Sequence, residues 1–536
     1  MSDRWINAAM IDCVRIVERY DYYRRLIPQL ADWGYNTLFW HFTDDQGCSL
    51  RLRRRSELSS RYALTRDQMT RLIDLAARHG IQVVPEVEAL GHTLYITHLK
   101  KYRHLFEGSA THFNALCPSH PESLEVLADV LAETAEVFPA PYLHVGLDEV
   151  QFGDCPRCRR RGLPEWRLFA DHVLAIHRIV TGLGKRMILW GDHLVKDARI
   201  ARRVPRDCMV AHWDYFVDHP IEADNRTLTD LGFQVLGCPA TGRVFTTTMP
   251  DESNLANLRD FARVGHAHRA RGVIGMVNTV WCPERQLGGS THWGLALGAA
   301  LFEDSKADES KAAARFVRNR YGLARPASAA QAIRRLHAAA PGLLRLRKAL
   351  VEHPREHQHV ITPHDVADAA ARRKAIAAAR QRLDAARPQV TANKGEFRMW
   401  LLAADLLDEQ LGRFQTWQDT ALLDRLRLEA VARGDTVQAK LIARDTAAVL
   451  RDAARAARRS AVRAERDWKR TRHADDPRRF GRDGYVVQKT ALPGLLDRTA
   501  ATLERLARRA RQIAPTGRGR LGLPETLVTL DERPSA

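Results

Sequence analysis

The fold class that this sequence predicts is α/β: a (β/α)8 barrel followed by an all-α helical domain. Three observations predict it. Eight short apolar or β-branched runs alternate with amphipathic stretches of helix length over about the first 300 residues, the pattern of a parallel sheet with crossover helices. Polar, ionisable and Trp residues gather just past the ends of those runs, where the active sites of barrels lie. Beyond Asp304 the chain turns to Ala, Leu and Arg at helical spacing with almost no strand signal, so the sheet ends there.

The eight runs are Asn7 to Asp12, Thr37 to His41, Ile81 to Glu88, Tyr142 to Val145, Met187 to Trp190, Met209 to Trp213, Gln234 to Leu236 and Ile274 to Trp281. Helices are predicted between them at Asp21 to Trp33, Arg66 to His79, Pro121 to Phe138, Trp166 to Leu183 and Asn254 to Arg271. In the later part they are predicted at Ala312 to Arg318, Ser328 to Glu352, His364 to Arg387, Glu396 to Ala432, Thr436 to Arg472 and Leu492 to Ile513. A loop rich in Arg, Asp, Pro and Gly, His473 to Gly484, precedes the last of these. The expected division is a barrel over residues 1–305, a basic helical domain over 306–515 and a loosely ordered tail over 516–536.

Length and charge agree with two units. A chain of 536 residues exceeds one ordinary core. Lys and Arg number 42 against 39 Asp and Glu up to Ala330, but 41 against 25 from Gln331 onward, so most of the net +19 sits in the helical half. A basic half can mark a nucleic-acid or anionic partner. No nucleic-acid motif accompanies it here, so solvated Arg/Ala-rich helices are the preferred reading and no nucleic-acid partner is expected. The opening MSDRWINAAM lacks the parts of a secretory signal, and no stretch has about 18 uninterrupted apolar residues. A cytoplasmic protein with no membrane partner is the expectation.

Eight cysteines scattered through so long a chain make no disulfide framework and fit a reducing compartment. The one close pair, Cys155-Pro-Arg-Cys158, has a spacing that would supply two zinc ligands, but the sequence shows no second pair nearby. It also lacks a thioredoxin-like context. No metal and no cofactor are predicted.

The strongest chemical signal is His144-Val-Gly-Leu-Asp148-Glu149, which follows an apolar run. Neighbouring carboxylates at a strand mouth repel, so one tends to keep its proton at neutral pH. A glycosidase needs that combination: one acid to protonate the leaving oxygen, one anion to stabilise positive charge near the sugar. Most Asp-Glu pairs are merely solvated. This one is joined at the predicted rim by Asp12, His41, Asp44, Asp45, Glu86, Glu88, His92, Trp190 with Asp192 and His193, Trp213 with Asp214 and Tyr215, and Trp281 with Glu284.

Three stretches, Asn36-Thr-Leu-Phe-Trp-His41-Phe-Thr-Asp44-Asp45-Gln46, Pro85-Glu86-Val-Glu88-Ala-Leu-Gly91-His92 and His144-Val-Gly-Leu-Asp148-Glu149, resemble in order and spacing the barrel of glycoside hydrolase family 20, the β-N-acetylhexosaminidases. The resemblance implies exo-acting hydrolysis of terminal non-reducing β-linked GlcNAc or GalNAc. It also implies substrate assistance, in which the acetamido oxygen attacks its own anomeric carbon to give an oxazolinium ion, with no covalent enzyme nucleophile. By the same resemblance Glu149 is the general acid and then base, Asp148 orients the acetamido group, and His92 with one of Asp44 or Asp45 holds Glu149. Trp190, Trp213 and Trp281 would wall the sugar; the alternative for Trp190 and Trp281, which end apolar runs, is barrel core. His41 reads as a buried structural histidine outside the catalytic set.

Several positions depart from the family pattern. Asn7 stands where the family has an Arg that grips sugar hydroxyls, Leu147 replaces a Gly and Leu90 a Pro. The last-strand carboxylate, Glu284 of Trp281-Cys-Pro-Glu284, comes one residue late. The acetamido-binding Tyr of the family follows the seventh strand, yet Gly237 to Ser253 contains none, which makes Tyr215 the candidate. The small α+β domain common before the barrel is not expected either. Together these departures look more like the intracellular, hexosaminidase D-like branch. The implied partner is an oligosaccharide or glycoconjugate with a terminal β-N-acetylhexosamine, and the long helices suggest a homodimer. The alternatives are a catalytically silent sugar-binding barrel and a glycosidase for a different or anionic amino sugar.

Overall fold

A computed structural model describes residues 5–107, 115–152, 155–216, 220–243, 246–341, 361–473 and 491–522. Eight strands form the barrel: β1 (Ile6–Asp12), β2 (Thr37–His41), β3 (Gln82–Glu86), β4 (Tyr142–His144), β5 (Arg186–Trp190), β6 (Met209–Trp213), β7 (Gln234–Cys238) and β8 (Val273–Val280). Every neighbouring pair is parallel and follows chain order. β8 returns to β1, with Ile6 opposite Gly275 and Ile11 opposite Val280, and the barrel closes.

Strand side chains alternate between two faces, and that parity decides what reaches the site. Ala8 and Met10, Phe39, Val84, Ile188, Ala211, Leu236 and Val277 fill the barrel interior, which is a packed core rather than a pore. Ala9, Ile11, Leu38, Trp40, Val83, Leu143, Leu189, Val210 and Val235 face outward onto the helices. Two residues further along the inward rows stand Asp12, His41, Glu86, Trp190 and Trp213, each closing its strand.

The crossover helices form where the sequence supplies a start. Thr65 and Gln68 make a capping box for Arg66–Arg78, as Asp251 and Asn254 do for Glu252–Ala267, and Pro121 occupies the first turn of Pro121–Val137. Tyr20–Trp33, Glu165–Gly182, Ala198–Arg203, Ile221–Asp230 and His292–Glu303 complete the ring. His292–Glu303 is buried along nearly its whole length, wedged between barrel and helical region, and so lacks an amphipathic stripe. The loop after β2 folds a small three-stranded sheet of Thr43–Asp44, Gly47–Leu50 and Ser59–Leu64.

After the barrel come Glu309–Tyr321, Ala327–Ala339, Pro363–Ala386, Lys394–Ala432, Thr436–Thr471 and Leu492–Ile513. Much of the predicted helix Ser328 to Glu352 beyond 341, and the loop His473 to Gly484 after its first residue, lie outside the described residues. One apolar core runs from Leu30 beside the barrel through Phe316 and Trp400 to Leu450 and Leu503, so the helices share the barrel's core. Glu396 fixes the junction: it accepts from the Arg320 guanidinium, from His292 Nδ1 at 3.0 Å and from the Tyr321 hydroxyl at 3.1 Å. Among the described residues no helix is long and apolar enough to cross a membrane.

The start of the tail differs from expectation. Buried Arg427 donates to the carbonyls of Gly517 and Gly519 at 2.8 and 2.9 Å, and Leu521 joins Ala443 and Ile513 in a small core. The same guanidinium pairs with Asp424 at 2.7 Å, and its bonds to the two carbonyls hold residues 516–522 against the helices; residues 523–536 lie outside the described ones.

Arg472, at the end of the long helix, is 3% exposed and reaches the barrel mouth. It donates to Glu18 Oε1 at 2.9 Å, Gln286 O at 3.1 Å and Pro283 O at 2.8 Å, tying the loops after β1 and β8 together. Arg472→Ala leaves Glu18 buried without its partner and should cost about 3 to 5 kcal/mol of stability in urea unfolding. A change within about 0.5 kcal/mol, as for an ordinary surface substitution, would show that this pin is not needed.

Candidate active site

The site begins with backbone that most residues avoid. His92, Leu147 and Glu149 take positive φ of 50°, 74° and 51°, conformations that persist only where packing enforces them. Two glycines let the loops after β3 and β4 touch. A Cβ on Gly91 would stand 2.3 Å from the Asp148 carbonyl oxygen, and one on Gly146 would stand 1.9 Å from Glu88 Oε2. The loop carrying His92 therefore lies directly on the loop carrying Asp148 and Glu149.

His92 bridges acids on both sides. Its Nε2 is 3.3 Å from Glu149 Oε2 and 3.7 Å from Asp148 Oδ2, while Nδ1 is 3.5 Å from Asp44 Oδ1 and 3.4 Å from Asp45 Oδ2. Both acids left open by the sequence thus reach His92, but their surroundings differ. Asp44 is buried, 2.6 Å from Arg15 and 2.9 Å from His41, whereas Asp45 accepts from the Leu94 N–H at 3.1 Å. His41 also donates from Nδ1 to Glu86 at 2.5 Å, and Glu86 accepts from Trp190 Nε1 at 2.9 Å.

Protonation follows from this arrangement. Burial alone would lower His41, but Glu86 and Asp44 push it up to about 10. His92 is likewise raised well above the ordinary histidine value against burial, by Asp44 and Asp148. Asp44 is held well below the carboxylate range because Arg15, His92 and His41 outweigh its burial. Burial first, then Glu149, Asp192 and Glu86, raise Asp148 to about 8, with His92 pulling the other way. Glu88, behind Gly146, is raised well above its usual range by burial and by Asp148 and Glu86. His144 is lowered to about 4 by burial, so its neutral Nδ1 can accept from the Gly146 N–H at 3.1 Å. At neutral pH the site therefore holds two imidazolium ions, an ionised Asp44 and a protonated Asp148.

The aromatic residues divide into floor and wall. Trp190 is 1% exposed and packs 4.4 Å from the His144 ring, so it belongs to the barrel core under the site. Trp281 and Trp213 are partly exposed. Trp281 lies 6.0 Å from Trp190, edge-on to His41 at 5.0 Å, with the Arg15 guanidinium 5.5 Å from its centre. Its Nε1 donates to the Tyr215 hydroxyl at 2.7 Å, and Tyr215 stacks on Trp213 at 5.0 Å. Tyr215 thus joins Trp213 and Trp281 from just past the sixth strand, and the stretch after the seventh supplies Arg243, which donates to the Tyr215 carbonyl.

One expected residue sits elsewhere. Asn7 faces outward at the opposite end of β1, where its amide donates to the Ala299 carbonyl at 3.1 Å; the parity that places Asp12 inward turns Asn7 away. Glu284 is buried in the loop after β8 with its carboxyl raised by burial, 3.8 Å from Arg285 and near enough to Asp12 and Arg15 to feel their charges. Arg15, Glu86, Asp192, His193 and Arg243 were not assigned roles from sequence. Asp192 accepts from the Glu149 N–H at 3.2 Å and His193 from the Val150 N–H at 3.0 Å, fixing the backbone of the acid pair. Their signal was position alone, just past β5. The close pair Cys155 and Cys158, for which the sequence showed no companions, meets Cys117 and Glu107 in space.

Residues 7–264 match the model of the glycosyl hydrolase family 20 catalytic domain, and the barrel belongs to that family. A β-hexosaminidase of Vibrio furnissii is 28% identical over 244 residues, 38% of this chain and 39% of that one. Human hexosaminidase D is 24% identical over 289 residues, 49% of this chain and 57% of that one. A β-N-acetylhexosaminidase of Cellulomonas fimi is 30% identical over 200 residues, 34% and 38% of the two chains. The chain thus spans about two fifths of the length of the two bacterial relatives. Among solved structures, an exo β-N-acetylglucosaminidase of Vibrio harveyi in complex with N-acetylglucosamine gives a TM-score of 0.49 at 23% identity, covering 58% of this chain and 57% of that one.

Asp148 makes the site's cost measurable. A carboxyl raised from 3.8 to about 8 stabilises the fold fully below its unfolded value, and that contribution is lost as pH rises through its folded value. Asp148→Asn, neutral throughout, should therefore gain on wild type with rising pH and melt at a higher temperature near about pH 9. Melting curves at about pH 5, 7 and 9 check this; a constant difference across them would contradict the assignment.

Proposed function

We propose that this protein is an exo-acting β-N-acetylhexosaminidase that hydrolyses terminal non-reducing β-linked GlcNAc or GalNAc by substrate-assisted, retaining catalysis. One observation carries the reading: adjacent carboxyls, Asp148 and Glu149, share a histidine that contacts both. Glu149, the more exposed of the two with its side chain at 34% against 14%, is placed to give a proton to the leaving oxygen and later take one from water. Asp148 lies deeper, where an acetamido N–H would come. No covalent enzyme nucleophile is required, since the acetamido oxygen supplies the attacking lone pair.

The working form holds one proton between the two carboxyls. In the free site that proton rests on Asp148. As the acetamido group closes on the anomeric carbon it becomes cationic, and this charge favours the Asp148 anion with the proton on Glu149. A poorly hydrated carboxylate stabilises such a charge more strongly in the transition state than in the ground state. Trp281, Trp213 and Tyr215 supply an apolar wall and a hydroxyl for the sugar, and the reaction consumes only water.

Eight buried free cysteines support a reducing, cytoplasmic setting, and a terminal aminosugar on a soluble oligosaccharide or glycoconjugate is the substrate in this reading. Exposed Leu426, Val437 and Leu441 near the turn of the long helical hairpin support pairing of two copies.

The two carboxyls should fail differently when neutralised. Glu149→Gln should lose on the order of 100-fold or more in kcat/KM on substrates with poor leaving groups, the scale of general acid catalysis, and less on activated aryl glycosides. Asp148→Asn impairs ring closure, so its loss should be similar across leaving groups. A series of aryl β-GlcNAc and β-GalNAc substrates measures both; equal leaving-group dependence in the two variants would overturn the division, and an inert wild type would leave a sugar-binding barrel.

A further inference from the structure

Three thiols and a carboxyl from separate stretches of chain converge outside the site just described. Cys117 Sγ stands 3.4 Å from Cys155 Sγ and 3.7 Å from Cys158 Sγ, and Cys158 Sγ stands 3.1 Å from Glu107 Oε2. The four ligand atoms all lie within 4.8 Å of one another, and none of the residues is more than 7% exposed. From this geometry we propose a structural zinc site with Cys117, Cys155, Cys158 and Glu107 as its four ligands.

The distances are those of a tetrahedron's edges. Two sulfurs each about 2.3 Å from zinc at the tetrahedral angle stand about 3.8 Å apart, and a sulfur and a carboxylate oxygen about 3.5 Å apart. The chemistry of the donors points the same way. Thiols are weak hydrogen-bond partners, so they are poor reason to bury a carboxyl. Glu107 Oε1 has no hydrogen-bond partner among the described residues, and no cation there pairs with Glu107. A divalent ion would give that carboxylate the cation it lacks and displace the protons its ligands carry, which pass to solvent.

Local structure presents the ligands ready-made. Cys155 and Cys158 are three residues apart at the start of the helix Pro156–Arg161, a spacing that puts both on one face. Glu107 and Cys117 are brought side by side by backbone bonds from Glu107 N to Ala115 O at 2.9 Å and from Cys117 N to Leu105 O at 2.7 Å. Leu168, with Phe152 and Leu163 against it, covers the cluster. Four protein ligands under an apolar cover make a closed, structural site rather than a catalytic one with an open position. The Arg residues of the same helix, Arg157, Arg159, Arg160 and Arg161, offset the negative charge that three thiolates and a carboxylate leave on the ion.

The consequence reaches the active site without depending on its function. Glu107 and Cys117 follow the loop of His92, and the Leu116 N–H donates to the Leu90 carbonyl at 2.9 Å. Cys155 and Cys158 follow Asp148 and Glu149. The ion would clamp together the two loops that Gly91 allows to touch, and the four ligands are positioning residues in that sense.

Metal analysis and spectroscopy of the full-length protein test this independently of activity. Protein purified under reducing conditions should carry about one zinc per chain. Chelation should lower its melting temperature, and added Zn2+ should restore it. Replacement by Co2+ should give the intense visible bands and thiolate charge-transfer absorption of a tetrahedral sulfur-rich site. Cys155→Ser and Cys158→Ser should lose the metal, and Cys208→Ser, a buried thiol elsewhere, should keep it. Failure of the chelated wild type to take up Zn2+ or Co2+ would overturn the proposal, as would a Cys117–Cys155 disulfide in peptide maps of the freshly purified protein. The wild-type cobalt spectrum decides the matter even if the serine variants fail to fold.

Discussion

Crowding carboxyl groups where eight strands end is the constraint on which the rest of this molecule depends. Asp12, Asp44, Asp45, Glu86, Glu88, Asp148, Glu149 and Asp192 converge there, and few cations answer them. Arg15 lies 2.8 Å from Asp12 and 2.6 Å from Asp44, His41 spans Asp44 and Glu86, and His92 spans Asp44 and the acid pair. Paired charges of this kind survive burial, while unpaired ones neutralise by holding protons. Burial and the neighbouring carboxylates push Glu88 and Asp148 toward the protonated form, in both against the pull of His92, so part of the charge imbalance is met by protons that the acids keep.

The same imbalance explains how the surrounding structure is built. Positive φ at His92, Leu147 and Glu149 costs of order 1 to 3 kcal/mol each, so the loops must be held from outside. Asp192 and His193 hold the backbone of the acid pair, Arg472 ties the loops after β1 and β8, and the shared core carries that restraint into the helical region. The basic half therefore acts here as a brace, with its buried arginines Arg320, Arg427 and Arg472 each committed to acceptors inside the protein.

What was legible in the sequence is what repeats or stands adjacent. Short apolar or β-branched runs between helix-length stretches mark the strands, the parity of those runs brings Asp12, His41 and Glu86 inward, and Asp148 beside Glu149 marks the chemistry directly. What was not legible depends on distance in the chain. Glu86 meets His41 across 45 residues and Trp190 across 104, and no local pattern announces such pairs. Cys117 was invisible as a companion of Cys155 for the same reason. His292–Glu303 escaped because a helix buried all round has no stripe. Asn7 was matched by alignment of motifs, where strand parity would have turned it outward. The start of the tail reads as polar and loose, yet one buried guanidinium holds it.

In the proposed mechanism the acetamido group of the substrate, steadied by Asp148, does the attacking. A series of aryl β-glucosaminides whose N-acetyl group carries none, one, two or three fluorines tests it most directly, because fluorine drains the carbonyl oxygen of nucleophilicity while barely changing the leaving group. The kcat/KM should fall steeply with each fluorine, since the attacking lone pair is engaged in the transition state. Rates that stay level across the series would contradict it, and would mean that a group of the protein, or water, attacks instead.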